Sequence, residues 1–199
     1  MPNYCDNNLH IEGDNNEIQR FLDAVTIGEH EYEILKKLYP VPQELTDTVS
    51  GFSSNPETQA EYEKKYAENV AKYGYKDWYD WQYANWGTKW GDCDTQLIGQ
   101  DDGSASFTFE SAWSAPSNAF VKISQDFPTL RFYLTFYEMG MGFAGCDGFH
   151  NGVRVESYTE DISVPNADDD DEDMDMDALY DAYFEAVDKC EQEVREAMA

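Results

Sequence analysis

The sequence predicts an α+β protein, in which antiparallel strands and amphipathic helices share one core. Two observations predict this class: segments of alternating polarity are joined by short turn signals, and helical segments with one apolar face lie between them. A third is the aromatic content, because 14 Tyr, 5 Trp and 11 Phe can replace the aliphatic side chains that the chain lacks. The 199 residues are therefore expected to fold, although their charge opposes compaction.

The first part of the chain predicts a strand, a helix and a loop. Residues 4–13 alternate in polarity in their second half and end at a Gly-Asp-Asn turn, which is typical of a strand. Asp14 or Asn15 can cap the helix that follows. The apolar face of this helix recurs at helical spacing and consists of Ile18, Phe21, Leu22 and Val25. Two prolines within residues 38–45 then predict an extended, rigid loop.

A helical insert is predicted over residues 54–74. Asn55 is its N-cap, Pro56 occupies its first turn, and Gly74 ends it. The stripe expected to face inward consists of Tyr62, Tyr66, Val70 and Tyr73. Residues 77–91 follow and hold a dense run of tryptophans, which suits either a base-stacking platform or a core layer. Because stacking platforms normally lie in positively charged grooves, we expect a core layer.

The next part of the chain predicts strands joined by tight turns. Segments 96–98 and 104–111 flank an Asp-Asp-Gly hairpin signal. The further elements are a short helix over residues 116–127, a strand over 130–137, a glycine-rich stretch over 139–145 that suits a bulge or a close backbone approach, and an Asn-Gly turn at 151–152 that leads into another strand. Strands and helices mixed around antiparallel turns give the α+β class.

The composition changes abruptly after residue 165. An acidic block follows that is too repulsive to pack against itself, so we predict a linker or an interaction segment. A final helix with an apolar stripe is predicted over residues 179–198. This stripe docks either on its own domain, which is the more common outcome, or in a partner's groove. We therefore divide the chain into an α+β domain, residues 1–165, and an acidic linker with an amphipathic helix, residues 166–199. The candidate partner-binding residues are Asp168, Asp169, Asp170, Asp171, Glu172, Asp173, Asp175, Asp177, Phe184 and Val187.

Catalytic, cofactor and metal sites are not indicated by the sequence. None of the three histidines has a Ser or Cys partner at the spacing of a catalytic motif. The sequence also has no Walker-type lysine loop. Neither the Asp-Cys-Asp at residues 92–94 nor the acidic block has the Gly and terminal Glu of a calcium loop. We expect no catalytic residues, no cofactor and no metal. The four cysteines form no Cys-x-x-Cys pair, which favours four reduced thiols over two disulfides.

The formal net charge of −28, from 41 Asp+Glu and 13 Lys+Arg, limits the kinds of partner. Such a surface repels DNA, RNA and anionic membranes and attracts basic protein surfaces. The N-terminus has no secretion signal, and no stretch approaches the roughly 18 apolar residues of a membrane span. We expect a soluble, cytoplasmic protein that binds neither nucleic acid nor membranes directly.

Five blocks of the sequence resemble the YubB ferredoxin-like proteins of phages and plasmids. The blocks are PNYCDN at residues 2–7, YPVPQEL at 39–45, NWGTKW at 85–90, FESAWSAP at 109–116 and EMGMGFAG at 138–145. The resemblance covers most of residues 1–155 and implies a ferredoxin-like antiparallel sheet packed by helices, without an iron–sulfur cluster, and a mobile-element origin. It carries over no catalytic residue, because that family has no established activity.

The charge and the resemblance together predict a non-enzymatic acidic protein that inhibits a host defence or nucleic-acid-binding protein. Its partner would be a basic surface of a host protein, with Asp and Glu standing in for phosphates if the protein is a DNA mimic. One alternative is a regulator that docks through the C-terminal helix or an aromatic surface. A weaker alternative is an enzyme that uses a carboxylate pair. Acidity that serves solvation alone is the remaining explanation.

Overall fold

A six-stranded antiparallel sheet with the strand order β4-β5-β1-β6-β7-β8 forms the centre of the computed structural model. The structure describes residues 3–163 and 176–199, which also hold a two-stranded ribbon and seven helices. The strands are β1 (Tyr4–Glu12), β2 (Thr26–Gly28), β3 (Glu31–Tyr32), β4 (Cys93–Asp101), β5 (Ser104–Ala112), β6 (Arg131–Glu138), β7 (Phe143–His150) and β8 (Val153–Asp161). The helices are α1 (Asn15–Val25), α2 (Leu35–Leu38), α3 (Gln43–Thr46), α4 (Pro56–Tyr73), α5 (Trp78–Asn85), α6 (Ser117–Asp126) and α7 (Met176–Met198). The predicted α+β class is confirmed.

Strand β1 lies in the middle of the sheet, because it pairs antiparallel with β5 on one edge and with β6 on the other. Its side chains alternate between the two faces, as its sequence predicts. Cys5, Leu9 and Ile11 are fully buried in the main core. Asp6 and Asn8 lie on the opposite face, which the main core does not reach.

The main core fills the first face of the sheet, under α1 and α6. Phe21 of α1 packs at centroid distances of 5.2 to 6.0 Å against three other rings, which are Phe107, Phe127 and Phe132. Phe120 of α6 packs against Phe132 and Phe149 in the same way. Each such ring pair contributes about 0.5–1.5 kcal/mol beyond its buried area. The prediction that aromatic side chains replace aliphatic ones in the core is confirmed.

Tight turns join neighbouring strands at the sites that the sequence predicts. Gly103 has a φ of 84° between β4 and β5. Asn151 and Gly152 have φ values of 49° and 79° between β7 and β8. Two successive positive φ values are typical of a type I′ turn, whose twist matches that of the flanking strands. Local residues therefore specify both hairpins.

The predicted loop over residues 38–45 is confirmed only for residues 39–42, because the chain is helical on either side of them. Two short helices, α2 and α3, flank Pro40, and Pro42 stands immediately before α3. The Pro42 carbonyl accepts hydrogen bonds from the amides of Leu45 and Thr46. A proline at the start of a helix is tolerated, because its missing N–H would have no partner there.

Helix α4 has the predicted ends and only part of the predicted inner face. The side chain of Asn55 accepts hydrogen bonds from two first-turn amides, and Gly74 ends the helix with a φ of 82°. Val70 of the predicted stripe is half exposed, and the buried residue is Asn69. The Asn69 amide donates to the Thr48 hydroxyl at 2.9 Å. Tyr73 of the predicted stripe packs against the main core, so apolar contact and hydrogen bonds together attach this helix to the rest of the chain.

The tryptophan run of residues 77–91 contributes to the core through two of its members. Trp81 and Trp86 are buried with their rings edge to face at 5.8 Å. The Trp86 indole N–H donates to the Tyr39 carbonyl at 2.9 Å. Trp78 and Trp90 are only partly buried. The core prediction is therefore confirmed for the inner pair alone.

Helix α7 packs on the second face of the sheet, against β6, β7 and β8. Its buried residues are Tyr183, Ala186, Cys190, Val194 and Met198. Gly148 of β7 permits this close approach, because a Cβ there would lie only 2.5 Å from a Val194 methyl group and would also overlap Met198. The C-terminal helix therefore docks on its own sheet, the first of the two outcomes that its apolar stripe predicts.

Candidate functional site: an acidic groove beside α7

An acidic groove of about 460 Å³ lies on the second face of the sheet, beside α7. Helix α7 covers β6, β7 and β8 and leaves this face of β4, β5 and β1 open. The residues that line the groove are Asp6, Asn7, Asn8, Asp94, Gln96, Thr108, Phe109, Glu110, Thr135, Tyr137, Phe184, Val187, Asp188 and Glu191. This set contains five carboxylates and no lysine or arginine.

Strand pairing brings two of the carboxylates together. Asp6 of β1 lies directly opposite Glu110 of β5, and Asn8 lies opposite Thr108. Because alternate residues of a strand share a face, these four side chains project from the same side of the sheet. Directly opposed residues have Cβ atoms about 4.5–5.5 Å apart, so the two carboxylates repel one another.

A bulge at the edge of the sheet adds a third carboxylate. Asp94 of β4 has a φ of 51°, in the left-handed region that Asp adopts more readily than most residues. The pairing of β4 with β5 shifts register between Cys93 and Gln96, which leaves Asp94 in an irregular segment. Bulges of this kind redirect a side chain, and here Asp94 lines the groove.

The surroundings of these acids raise their pKa values. Burial raises the pKa of Asp6, a hydrogen bond from the Tyr137 hydroxyl opposes this rise, and the charge of Glu138 adds to it. Burial also raises the pKa of Glu110, and the charges of Asp6 and Asp94 add to that rise. The groove therefore holds its negative charge at an electrostatic cost. A cation bound between these side chains would reduce that cost.

Helix α7 supplies the second wall of the groove. Phe184 is 51% exposed, and its ring lies 6.0 Å from that of Tyr137. Val187 is half-buried against the sheet, and Asp188 and Glu191 line the groove further along the helix. The groove thus offers an exposed aromatic ring together with carboxylates on both walls.

An ion-pair network attaches the C-terminal end of α7 to β1. Arg195 contacts Glu191 of its own helix and Glu12 of β1, each at 2.7 Å. Glu12 also contacts His10 at 3.1 Å. Burial by itself raises the pKa of Glu12, but Arg195 and His10 together bring it below its usual range. Glu191 therefore already has a cation as partner, and its share in binding a new cation is small.

The predicted partner-binding residues divide into three groups. The acidic residues that lie outside the described residues are Asp168, Asp169, Asp170, Asp171, Glu172, Asp173 and Asp175. Asp177 lies exposed in the first turn of α7. Phe184 and Val187 both line the acidic groove. The structure therefore places the two apolar candidates beside carboxylates of β1, β4 and β5.

Sequence reasoning misses Asp6, Asp94 and Glu110 because their proximity depends on strand pairing. The alternation within each strand assigns Asp6 and Glu110 to a polar face. It does not show that β1 pairs with β5, or in which register. The left-handed conformation of Asp94 leaves no clear local signal, since the Asp-Cys-Asp segment also suits a turn.

The described ranges 3–163 and 176–199 contain no group of three or more His, Cys, Asp or Glu side chains that could hold a metal ion. Within the same ranges, no helix is long and apolar enough to cross a lipid bilayer. All four cysteines are free thiols, as predicted. Burial raises the pKa of Cys5 and of Cys146, which keeps these thiols protonated and poorly reactive.

The fold and the groove define an α+β sheet protein with the main core on one face and a half-open acidic groove on the other. Residues 85–180 match the family model of a ferredoxin-like domain in Api92-like proteins, which confirms the ferredoxin-like class. The crystal structure of a protein api92 from Yersinia pseudotuberculosis is similar, with a TM-score of 0.52 and 12% identity over 83% of this chain and 100% of that chain. At this identity the likeness shows the fold alone. No curated protein matches the chain, and the YubB resemblance with its mobile-element origin stays a prediction.

Proposed function

We propose that the protein is a non-enzymatic binding protein whose acidic groove takes up a positively charged segment of another protein. The observation that carries this proposal is the lining of the groove, with carboxylates on both walls and no lysine or arginine. Asp6 and Glu110 repel one another in the empty groove. A lysine or arginine side chain between the walls would offset this repulsion and form charge-assisted hydrogen bonds.

Phe184 suggests that the bound segment also carries an apolar residue. Large aromatic side chains dominate the energetics of protein interfaces when they become buried, and half of this ring is exposed. The acids of the groove would then steer the encounter, and the aromatic contact would prolong it. This combines the electrostatic and the helix-docking hypotheses in one surface.

The partner that fits this groove best is the basic surface of a host defence protein or of a host nucleic-acid-binding protein. The protein would inhibit it by occupying the surface that normally contacts phosphates. The net charge of −28 supports this proposal, because basic nucleic-acid sites attract such a protein over long range. DNA mimicry is the stronger form of the proposal, in which acids outside the groove also replace phosphates. The encounter would take place in the host cytoplasm.

A matched pair of variants tests the proposal by affinity capture from host-cell lysate. Asp94→Asn with Glu110→Gln removes two charges from the groove, and Glu61→Gln with Glu68→Gln removes two from the exposed face of α4. We expect the groove variant to bind the captured partner about tenfold more weakly, while the α4 variant changes affinity by less than about twofold. Equal losses in both variants would mean that net charge alone drives binding and would contradict the proposal.

A second pair tests the aromatic contact. Phe184→Ala should weaken binding and mainly accelerate dissociation, whereas Phe52→Ala, at another exposed ring, should not. If Phe184→Ala abolished binding and the affinity were insensitive to salt, the regulator hypothesis would replace the electrostatic one.

A second candidate function rests on Asp6 and Glu110. Two neighbouring carboxylates with raised pKa values in a cleft are typical of catalytic acid–base pairs. Glycoside hydrolases work with two carboxyl groups that flank the scissile bond, one of which acts as the acid, so a panel of aryl glycosides is the appropriate substrate set. Turnover that Asp6→Asn and Glu110→Gln each abolish would identify an enzyme. Partner binding without turnover would support the binding protein.

A further inference from the structure

A second cavity lies on the first face of the sheet, where the start of α6 meets the edge strand β8. Its volume is about 310 Å³, far more than one water molecule needs and at the lower end of small-molecule sites. Its polar lining consists of Asp147, Arg154 and the hydroxyl groups of Ser114, Ser117, Ser157 and Thr159. The acidic groove lies on the other face, so this site is independent of the proposed function.

Asp147 is the unusual member of this lining. It is only 2% exposed, and its Oδ1 has no hydrogen-bond partner among the described residues. Its other carboxylate oxygen lies 3.9 Å from a guanidinium nitrogen of Arg154, which is a loose ion pair. A buried carboxylate is rarely left without donors, because the loss of hydration is not recovered. A ligand that donates to Oδ1 would account for this side chain.

Strand register explains why this carboxylate faces the cavity. Asp147 of β7 lies opposite Ser157 of β8, and Gly145 lies opposite Thr159. The next residue on the same face, Phe149, is fully buried in the main core. An apolar side chain at position 147 would continue this core, so the carboxylate interrupts it at the point where the cavity opens.

The cavity also offers positive charge beside Asp147. Arg154 is held by a hydrogen bond from one guanidinium nitrogen to the Asn118 side chain at 3.2 Å, with its guanidinium 5.6 Å from the ring centre of Phe149. Helix α6 begins beside it at Ser117, and no side chain caps its N-terminus. The first-turn amides of a helix and a nearby guanidinium together favour an anion.

We propose that this cavity binds an α-amino acid with an apolar side chain. The ammonium group would donate to Asp147, and the carboxylate would accept from Arg154 and from the start of α6. A cation alone would meet the guanidinium, and an anion alone would meet Asp147, whereas a ligand that carries both charges complements both side chains. Phe136 and Phe143, whose rings lie 6.2 Å apart, provide the apolar wall for the side chain.

Isothermal titration of the full chain with L-leucine tests this proposal. We expect saturable one-to-one binding and a rise in melting temperature. Isoamylamine, which lacks the carboxylate, and 4-methylpentanoate, which lacks the ammonium group, should each bind at least about tenfold more weakly, because each loses a charge-assisted contact. Failure of leucine to bind saturably, or equal binding of either analogue, would overturn the proposal.

Two variants locate the ligand. Asp147→Asn and Arg154→Gln should each weaken leucine binding about tenfold or more, while Glu156→Gln, whose residue lies opposite Gly148 on the face that α7 covers, should leave it unchanged. Arg154 is partly exposed, so Arg154→Gln serves as the test if Asp147→Asn does not fold. Leucine affinity that neither variant changes would place the ligand elsewhere and would overturn the assignment.

Discussion

The buried carboxylates of this protein are of two kinds. Some accept hydrogen bonds from the chain itself, and others lack such donors. Asp92 is almost fully buried and accepts hydrogen bonds from the backbone amides of Ile34 and Leu35, so its role is structural. Asp147 lacks such donors at one oxygen, and Glu110 faces the charge of Asp6. Asp147 and Glu110 both line cavities, where a ligand could supply the missing donors or the opposite charge.

Glu110→Gln should stabilise the protein at neutral pH, because it removes one of two like charges that face each other across β1 and β5. Pairs of this kind destabilise by about 0.2–1 kcal/mol, and the free energy of unfolding in urea should rise by that amount. The gain should come from the charge alone, since glutamine keeps the length of the side chain.

The pH dependence of the stabilisation by Glu110→Gln provides a control for this prediction. The pKa of Glu110 is raised in the folded state, so its charged form opposes folding above that pKa, and protonation relieves the repulsion as the pH falls. The advantage of Glu110→Gln should therefore fade between neutral pH and about pH 4. Glu61→Gln on α4 should show no advantage at either pH. A gain that persisted at the lower pH would have a cause other than charge.

At the scale of secondary-structure elements, the docking of α7 decides which half of the second face stays open. Gly148→Ala should therefore destabilise the protein, because the new methyl group would collide with Val194 and Met198 and push the helix outward. Overpacking of this kind costs about 1–3 kcal/mol in the free energy of unfolding. Gly99→Ala is the matched control, since its Cβ would meet only Ser106 at 3.9 Å. Equal effects of the two substitutions on urea unfolding would contradict this account.

The elements themselves could largely be predicted from the sequence, because their signals are local. Asn55 and Gly74 mark the ends of α4, and Asn151 with Gly152 marks the last hairpin. The failures share another cause. Val70 has the spacing of a buried residue but is half exposed, whereas its polar neighbour Asn69 is buried and donates a hydrogen bond to Thr48. Periodicity predicts an apolar face and cannot show what that face meets.

Neither cavity could be predicted, because each depends on contacts between distant segments. The acidic groove requires the pairing of β1 with β5 and the position of α7, which leaves only part of the sheet uncovered. Asp147 lies in a Gly-Cys-Asp-Gly segment, where the glycines indicate a bulge or a close backbone approach and nothing local indicates a buried carboxylate. Its burial becomes evident only once β8 and α6 enclose it.

The charge of the whole molecule is unevenly distributed. Residues 56–89 carry six acidic side chains and five lysines, so this region is nearly neutral. Residues 176–199 carry seven acidic side chains against Lys189 and Arg195. Because α7 lines the acidic groove, its net charge of −5 adds to the negative potential on that side of the sheet. An uneven charge distribution orients a basic partner in addition to attracting it.

Self-repulsion of 28 net negative charges should make the stability of the protein depend on salt. Sodium chloride shortens the screening length from about 10 Å at 0.1 M to about 3 Å at 1 M, so repulsion between carboxylates weakens. We expect the melting temperature at neutral pH to rise steadily over this range. The few ion pairs, such as that of Arg195 with Glu12, act in the opposite sense but are outnumbered. Near pH 4, where many carboxylates are protonated, the rise should shrink. A melting temperature that stayed constant or fell with salt at neutral pH would show that the acids are spaced too widely to repel, and an electrostatic account of the groove would then lose its basis.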